Sequence, residues 1–355
     1  MMKKIVLLIQ SILMNLWSNH SGYRVTHIVE INDWAIKYVG TSLSQSFRAQ
    51  HLLHARISYT AIGLRNQLIH FDSVNTFFHK GSIRLPHRSN KIILTWFHVE
   101  PGDPRLNLIQ QVQRSIGRIH TSCQTTKAIL IKAGVAEEKI VVIPLGVDLD
   151  LFRPGTHEER LRIRRQLGIP ENRLVIGSFQ KDGVGWREGM EPKLIKGPDV
   201  FVEVIDRLRE KHPFVLLSGP ARGYVKQGLE RLGVDYVHVY PKNFSELPKL
   251  YQALDLYLIT SRVEGGPLSL LESWASEVPV VSTRMGMVPD IAEHEHTALL
   301  TDVENVDALV RQTLRLINDQ PLRHHLVNQA LTVVKKNSWD NIARRYVDEL
   351  YRPLL

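Results

Sequence analysis

Short apolar runs alternate with amphipathic stretches along most of the chain, which is the pattern of strands and helices in a parallel α/β protein. In the first part the runs are residues 25–31, 55–64, 67–71, 90–98, 119–122 and 140–144. In the second part they are 174–179, 214–218, 237–240, 257–259 and 278–282. Between them, apolar residues recur at helical spacing. Val200, Phe201, Val204, Ile205 and Leu208 form one face of a helix opening at Pro198-Asp199, and 306–317 and 320–336 repeat that periodicity near the end. Helices are also expected over 106–118, from Thr125, over 247–254 and over 339–351. Asn32-Asp33 is expected to cap a helix running on from Trp34. The strand over 90–98 is expected to end in His98, where open parallel sheets place their ligands.

Residues 144–154, rich in Pro and Gly, interrupt the alternation just before the charged run 158–165, which marks a hinge. A chain of 355 residues exceeds one ordinary core, so two domains are expected. Residues 3–17 stand apart, because two lysines precede a largely apolar run that is too short to span a bilayer. They read as a buried first strand and helix, an extension ahead of the domain, an interfacial anchor or a signal peptide, although no clear cleavage site follows.

The densest chemistry lies between 257 and 282. A strand leads into Glu264-Gly265-Gly266-Pro267, and a helix expected to start at Pro267 carries Glu272 among Leu270, Leu271, Trp274 and Ala275. Glycines let a ligand approach the backbone, and the first-turn amides of such a helix favour an anion. A carboxylate in apolar company needs partners, and either the adjacent hydroxyls of a sugar or ribose or a cap or ion pair with a neighbouring Arg would supply them. Lys196 just precedes another helix start, where its charge and the amide dipoles act on the same phosphate.

Two carboxylates separated by seven residues, with glycines after the first, resemble the signature of the retaining glycosyltransferases of family four. Val142-Ile-Pro-Leu-Gly146-Val-Asp148 through Pro154 is similar to that family's interdomain segment, and Lys196-Gly197-Pro198-Asp199 to its phosphate-binding loop. Together these matches run over about 95–350. The resemblance implies an α/β chain of GT-B fold: two Rossmann-like domains whose parallel sheets face an interdomain cleft. It places an acceptor domain at 23–146, a nucleotide-sugar domain at 147–336 and a helix at 337–355 that crosses back, with 1–22 an extension, a first strand or an anchor.

The activity implied is retaining, metal-independent transfer of a sugar from a nucleoside diphosphate sugar to a glycan or lipid-linked acceptor. Glu264, His98 and Lys196 are then the catalytic candidates. Donor binding falls to Lys196 with Lys181 or Arg187, to Gly219, Val239 and Tyr240, and to Gly265, Gly266, Leu268, Ser269 and Glu272. An epimerase or phosphorylase on the same fold, or a non-catalytic binding protein, are the alternatives. No metal or cofactor is expected. Asp148-Leu-Asp150 imitates a metal motif but lies in a turn, and His294-Glu-His296 reads as a polar loop. Glycines 183, 185 and 189 imitate a dinucleotide fingerprint, yet the helix it needs is delayed to Pro198.

Charge and cysteine content refine this picture. Lys and Arg number 45 against 36 acidic residues, a formal net charge of +9 that favours phosphates or an anionic membrane surface. No nucleic-acid motif accompanies it. The lone Cys123 excludes an intrachain disulfide and fits a reducing, cytoplasmic setting, peripheral to the inner face of the membrane if lipid is contacted.

Overall fold

The computed structural model describes residues 2–20, 24–31, 35–79, 82–100 and 102–355. Two compact units emerge, one comprising Met1–Gly146 with Asn337–Leu355 and the other Val147–Lys336. The main strands of each are largely buried on both faces, so they form parallel sheets joined by helical crossovers, and a short antiparallel pair, Phe78–His79 with Ser82–Ile83, stands apart from them.

The first unit holds β1 (Val25–Ile28), β2 (Ala55–Ser58), β3 (Leu68–Phe71), β4 (Lys91–Thr95), β5 (Arg118–Thr121) and β6 (Ile140–Val142). They pair in parallel in the order β2-β1-β3-β4-β5-β6. Strand β4 is shorter than the run 90–98 predicts. After Thr95 the Trp96 amide still bonds the His120 carbonyl at 2.8 Å, but Phe97 and His98 leave the ladder. Apolar side chains continue there because Trp96 is packed in the core, not because the strand goes on. The helix expected over 106–118 is Arg105–Val112 plus a 3₁₀ turn at Gln113–Ser115, since Gly117 already bonds Ile92 and enters the sheet edge. A helix spans Ala35–Ala49, and the cap expected at Asn32-Asp33 lies outside the described residues.

The C-terminal segment returns to this unit. Gly146 lies flat against Trp339, where a Cβ would sit 2.6 Å from the indole. Tyr351 and Tyr346 then enter a buried polar cluster: Tyr351 bonds His70 at 2.8 Å, His70 bonds Thr95 at 2.7 Å, and Tyr346 bonds His120 at 3.1 Å. Burial pushes the His120 imidazole down to about 4, so it sits there neutral.

The second unit holds β7 (Val175–Phe179), β8 (Phe214–Ser218), β9 (Tyr236–His238), β10 (Leu256–Ile259), β11 (Val280–Thr283) and β12 (Leu299–Thr301). Their order is β9-β8-β7-β10-β11-β12, all parallel. Chain direction along the sheet reverses between β7 and β10. That reversal opens a crevice at their carboxyl ends, the place where open sheets bind ligands. Val200, Phe201, Val204 and Ile205 of helix Pro198–Arg207 are buried against this sheet, as their spacing predicts.

Candidate functional site

Two loops rise at that reversal. One follows β7 and ends at Gly197, and the other follows β10 and ends at Pro267. They are laced together by backbone. Thr260 Oγ1 donates to the Gly197 carbonyl at 2.8 Å, and the amides of Arg262 and Val263 donate to Ile195 at 2.8 and 3.0 Å. Gly197 has φ +63°, and a Cβ there would lie 2.0 Å from the Thr260 carbonyl oxygen, so a larger residue would pry the loops apart. The Arg262 guanidinium completes the lacing by gripping both carboxylate oxygens of Asp199 at 2.8 and 2.7 Å.

This lacing brings Lys196 and Glu264 into an ion pair, with side chains only 18% and 13% exposed. Ser261 Oγ donates to the same Glu264 oxygen at 3.2 Å. Behind them the Met287 amide bonds the Gly265 carbonyl at 2.9 Å, which leaves Gly265 buried and Gly266, Leu268 and Ser269 partly exposed. The helix is Leu268–Ala275, one residue later than expected. Pro267 is its cap, with ψ 103°, because an extended backbone at that position turns the chain into the helix.

Glu272 is 5% exposed and accepts a hydrogen bond from Tyr251 Oη at 2.6 Å. Burial raises its carboxyl to about 7, and the Tyr251 hydroxyl partly offsets that rise. Tyr251 comes from helix Leu247–Gln252 and packs on Phe179, with ring centroids 4.8 Å apart. Next to it Tyr257 Oη accepts from the Phe179 amide at 2.7 Å and fixes the end of β7.

Of the two cations proposed to assist Lys196, the structure separates their positions. Arg187 is exposed on the loop, whereas Lys181 is half-buried. Burial first, then the charges of Lys193 and Lys196, hold the Lys181 ammonium below the usual lysine range. Its Nζ donates to the Gly183 carbonyl at 3.0 Å and sits 5.1 Å from the Trp186 ring centre. Gly219, at φ +99°, faces the Gln180 carbonyl, where a Cβ would meet oxygen at 2.5 Å. Strand β9 is the sheet edge, but it ends at His238, before Val239 and Tyr240. The Val239 amide still bonds Leu217 at 2.9 Å, and Tyr240 is 54% exposed. His98 belongs to the first unit, a third exposed, with Nε2 3.7 Å from Glu100.

Several residues escaped the sequence reading. Arg222, 1% exposed, donates to the carbonyls of Ser178 and Ser218 at 2.5 and 2.9 Å and lies 3.0 Å from Asp182. It thereby binds the carboxyl ends of β7 and β8 to the loop that carries Lys181. Its position three residues after Gly219 was the available signal. Tyr251 left none, since only the fold brings it to Glu272. In the first unit His27, His70 and Asp72 place ligand atoms within 4.8 Å of one another, and the His27–Asp72 bond of 2.8 Å and the Tyr351 bond to His70 occupy them. Asp148 spends its carboxylate on the amides of Asp150 and Leu151 at 3.0 Å, as a turn residue does. His294 Nδ1 accepts from the Leu300 amide at 2.9 Å.

Fold and site define an α/β protein of two units, each built on a six-stranded parallel sheet, and comparison with known proteins narrows the class. Residues 191–333 match the family Glycosyl transferases group 1, and the two units have the GT-B fold. It is 31% identical over 232 residues to the D-inositol 3-phosphate glycosyltransferase of Corynebacterium urealyticum, covering 61% of this chain and 51% of that protein. It is 28% identical over 226 residues to the uncharacterized glycosyltransferase MJ1607 of Methanocaldococcus jannaschii, covering 60% and 54%. The matched region thus spans about half the length of these curated relatives. Among solved structures, Anabaena Alr3699/HepE in complex with UDP-glucose superposes with a TM-score of 0.76 at 16% identity, over 93% of this chain and 99% of that one. That likeness concerns the fold.

Proposed function

We propose that this chain is a retaining glycosyltransferase that moves a sugar from a nucleoside diphosphate sugar to a glycan or lipid-linked acceptor. The observation that carries the reading is the convergence of Lys196 and Glu264 where the order of the second sheet reverses. A cation and a carboxylate set side by side beside two helix starts suit a ligand that is anionic at one end and rich in hydroxyls at the other. UDP-sugars are the first donors to try, because Anabaena Alr3699/HepE, of the same fold, was solved with UDP-glucose.

In this reading the Glu272 carboxylate accepts from the ribose hydroxyls and Glu264 from a hydroxyl of the transferred sugar. Lys196 leaves Glu264 for the diphosphate when donor enters, and Lys181 adds its charge from the neighbouring loop. The backbone at Gly219, Val239 and Tyr240 meets the nucleobase, and Gly266, Leu268 and Ser269 meet phosphate and sugar. The bond from the sugar's anomeric carbon to the phosphate oxygen breaks, and the bond from that carbon to the acceptor oxygen forms on the same face. The acceptor's proton passes to the departing phosphate oxygen, so no strong general base is needed. The protein's work is then to stabilise charge building on the diphosphate, which the lysines do without a resident metal. His98 carries a sugar-contacting role on the resemblance alone.

Release of nucleoside diphosphate from a donor panel, measured with and without glycan and lipid-linked acceptors, tests the proposal. Acceptor-dependent release with the anomeric configuration kept in the product supports it. Release that ignores acceptor, or conversion of one nucleotide sugar into another, replaces it with hydrolysis or epimerisation.

A further inference from the structure

The N-terminal helix Met2–Ser18 is attached to the first unit by its polar side. Ser11, Asn15 and Ser18, spaced to fall on one face, are its buried residues. Asn15 donates to the carbonyls of Thr60 and Ile62 at 2.8 Å each and accepts from Arg56 at 2.8 Å and Ser58 at 3.0 Å. Asn19, just past the helix, bonds the Gly63 carbonyl at 2.8 Å and the Arg65 amide at 2.9 Å. The apolar side faces outward. Ile5, Val6, Ile9, Leu13, Leu16 and Trp17 are 50–63% exposed. At ~100° per residue these six fall within an arc of about 120°, an unbroken apolar stripe. Ile62, in the loop that Asn15 holds, is 64% exposed.

A helix in water does the reverse, burying its apolar stripe and wetting its asparagine. We propose that this stripe docks on an anionic lipid bilayer, with the helix lying flat in the headgroup region. Charge selects that occupant. Lys3 and Lys4 open the helix, Arg65 is exposed next to its far end, and no Asp or Glu occurs before Glu30. The loop carrying exposed Arg88 is tied to that of Arg65 by the Asn66 amide, which donates to Ser89 Oγ at 3.1 Å, so a further cation lies near that end. Basic residues at the two ends of an apolar helix are what an interface with anionic headgroups attracts. A second copy of the chain would instead bring like charges together with no carboxylate among residues 2–20 to offset them. Among the described residues no helix is long and apolar enough to cross a membrane, so the contact is with one leaflet.

The test is co-sedimentation of the full chain with vesicles of phosphatidylcholine alone and of phosphatidylcholine with phosphatidylglycerol, with light scattering in the absence of lipid. Expected is binding to the anionic vesicles that weakens with salt, and a loss of about tenfold or more in Leu13→Glu, an exposed position whose change leaves the melting temperature in place. Ile9→Glu serves as a second variant if the first melts early. Failure to bind anionic vesicles, equal binding to both vesicle types, or binding unaffected by either substitution overturns the proposal. So does a dimer in solution that Leu13→Glu converts to monomer without any lipid binding.

Discussion

Tyr251 Oη donates to Glu272 Oε2 at 2.6 Å, and both side chains are buried. Burial lifts the carboxyl to about 7 while the hydroxyl pulls it down, so Glu272 changes charge near neutrality. Hydroxyls of a ribose need the ionised form as acceptor. Donor affinity is therefore expected to rise with pH until the carboxyl has ionised near 7, weakening about tenfold per unit below that point. In Tyr251→Phe the offset is gone, so the midpoint of this profile moves to higher pH. Calorimetric titration of a nucleoside diphosphate sugar across the range checks both, and a flat profile contradicts the ribose role.

The same group sets a stability balance of defined sign. Its folded value lies above the ordinary 4.5, so the folded state holds the proton more tightly than the unfolded chain, and stability falls as pH rises from 4.5 through about 7. Glu272→Gln, which keeps shape without charge, is expected to be more stable than the parent at alkaline pH by up to about 3 kcal/mol. It is also expected to bind donor more weakly. Denaturant titrations at acid and alkaline pH measure the first effect; an equal midpoint shift at both would refute the assignment.

Lys196 is held by Glu264 in the absence of ligand, so the carboxylate competes with phosphate for the ammonium. Glu264→Gln is expected to bind nucleoside diphosphate about fivefold more tightly, corresponding to ~1 kcal/mol, while turnover drops. Lys196→Ala is expected to weaken diphosphate binding about 10- to 150-fold, the loss of a hydrogen bond between charged groups worth about 1.5–3 kcal/mol. Titration with nucleoside diphosphate distinguishes the two directions, and opposite signs for the pair are the signature.

Arg222 and Asp182 form a buried pair beneath the loop that bears Lys181. Removing one partner strands the other, so Arg222→Met is expected to cost about 3–5 kcal/mol in a denaturant melt. Part of that loss should return in the double variant with Asp182→Asn. A single variant as stable as the parent would show that the pair does not hold the loop.

How much of this was legible depended on whether the information was local. Glu264, Glu272 and Lys196 stand beside strand ends and helix starts written into short stretches, so apolar spacing and a few glycines located them. Tyr251 meets Glu272 across twenty-one positions and Arg222 meets Asp182 across forty, contacts that exist only after the sheet assembles. The strand ending at Thr95 looked longer because Trp96 and Phe97 continue its apolar pattern while serving the core and the loop. Pro267 looked like a first helical residue because proline suits both that position and the cap. The helix Met2–Ser18 stayed ambiguous for a different reason: hydrophobicity predicts which face is buried only when water covers the other.

The central claim is that the second unit holds a sugar nucleotide between Lys196, Glu264 and Glu272. Its most direct test is isothermal titration of a panel of nucleoside diphosphate sugars, led by UDP-glucose, into the parent chain and into folded Glu272→Ala. The account predicts saturable one-to-one binding of at least one donor to the parent, weakened about 10- to 150-fold in the variant. No saturable binding by any donor, or equal affinity in the two proteins, would contradict it.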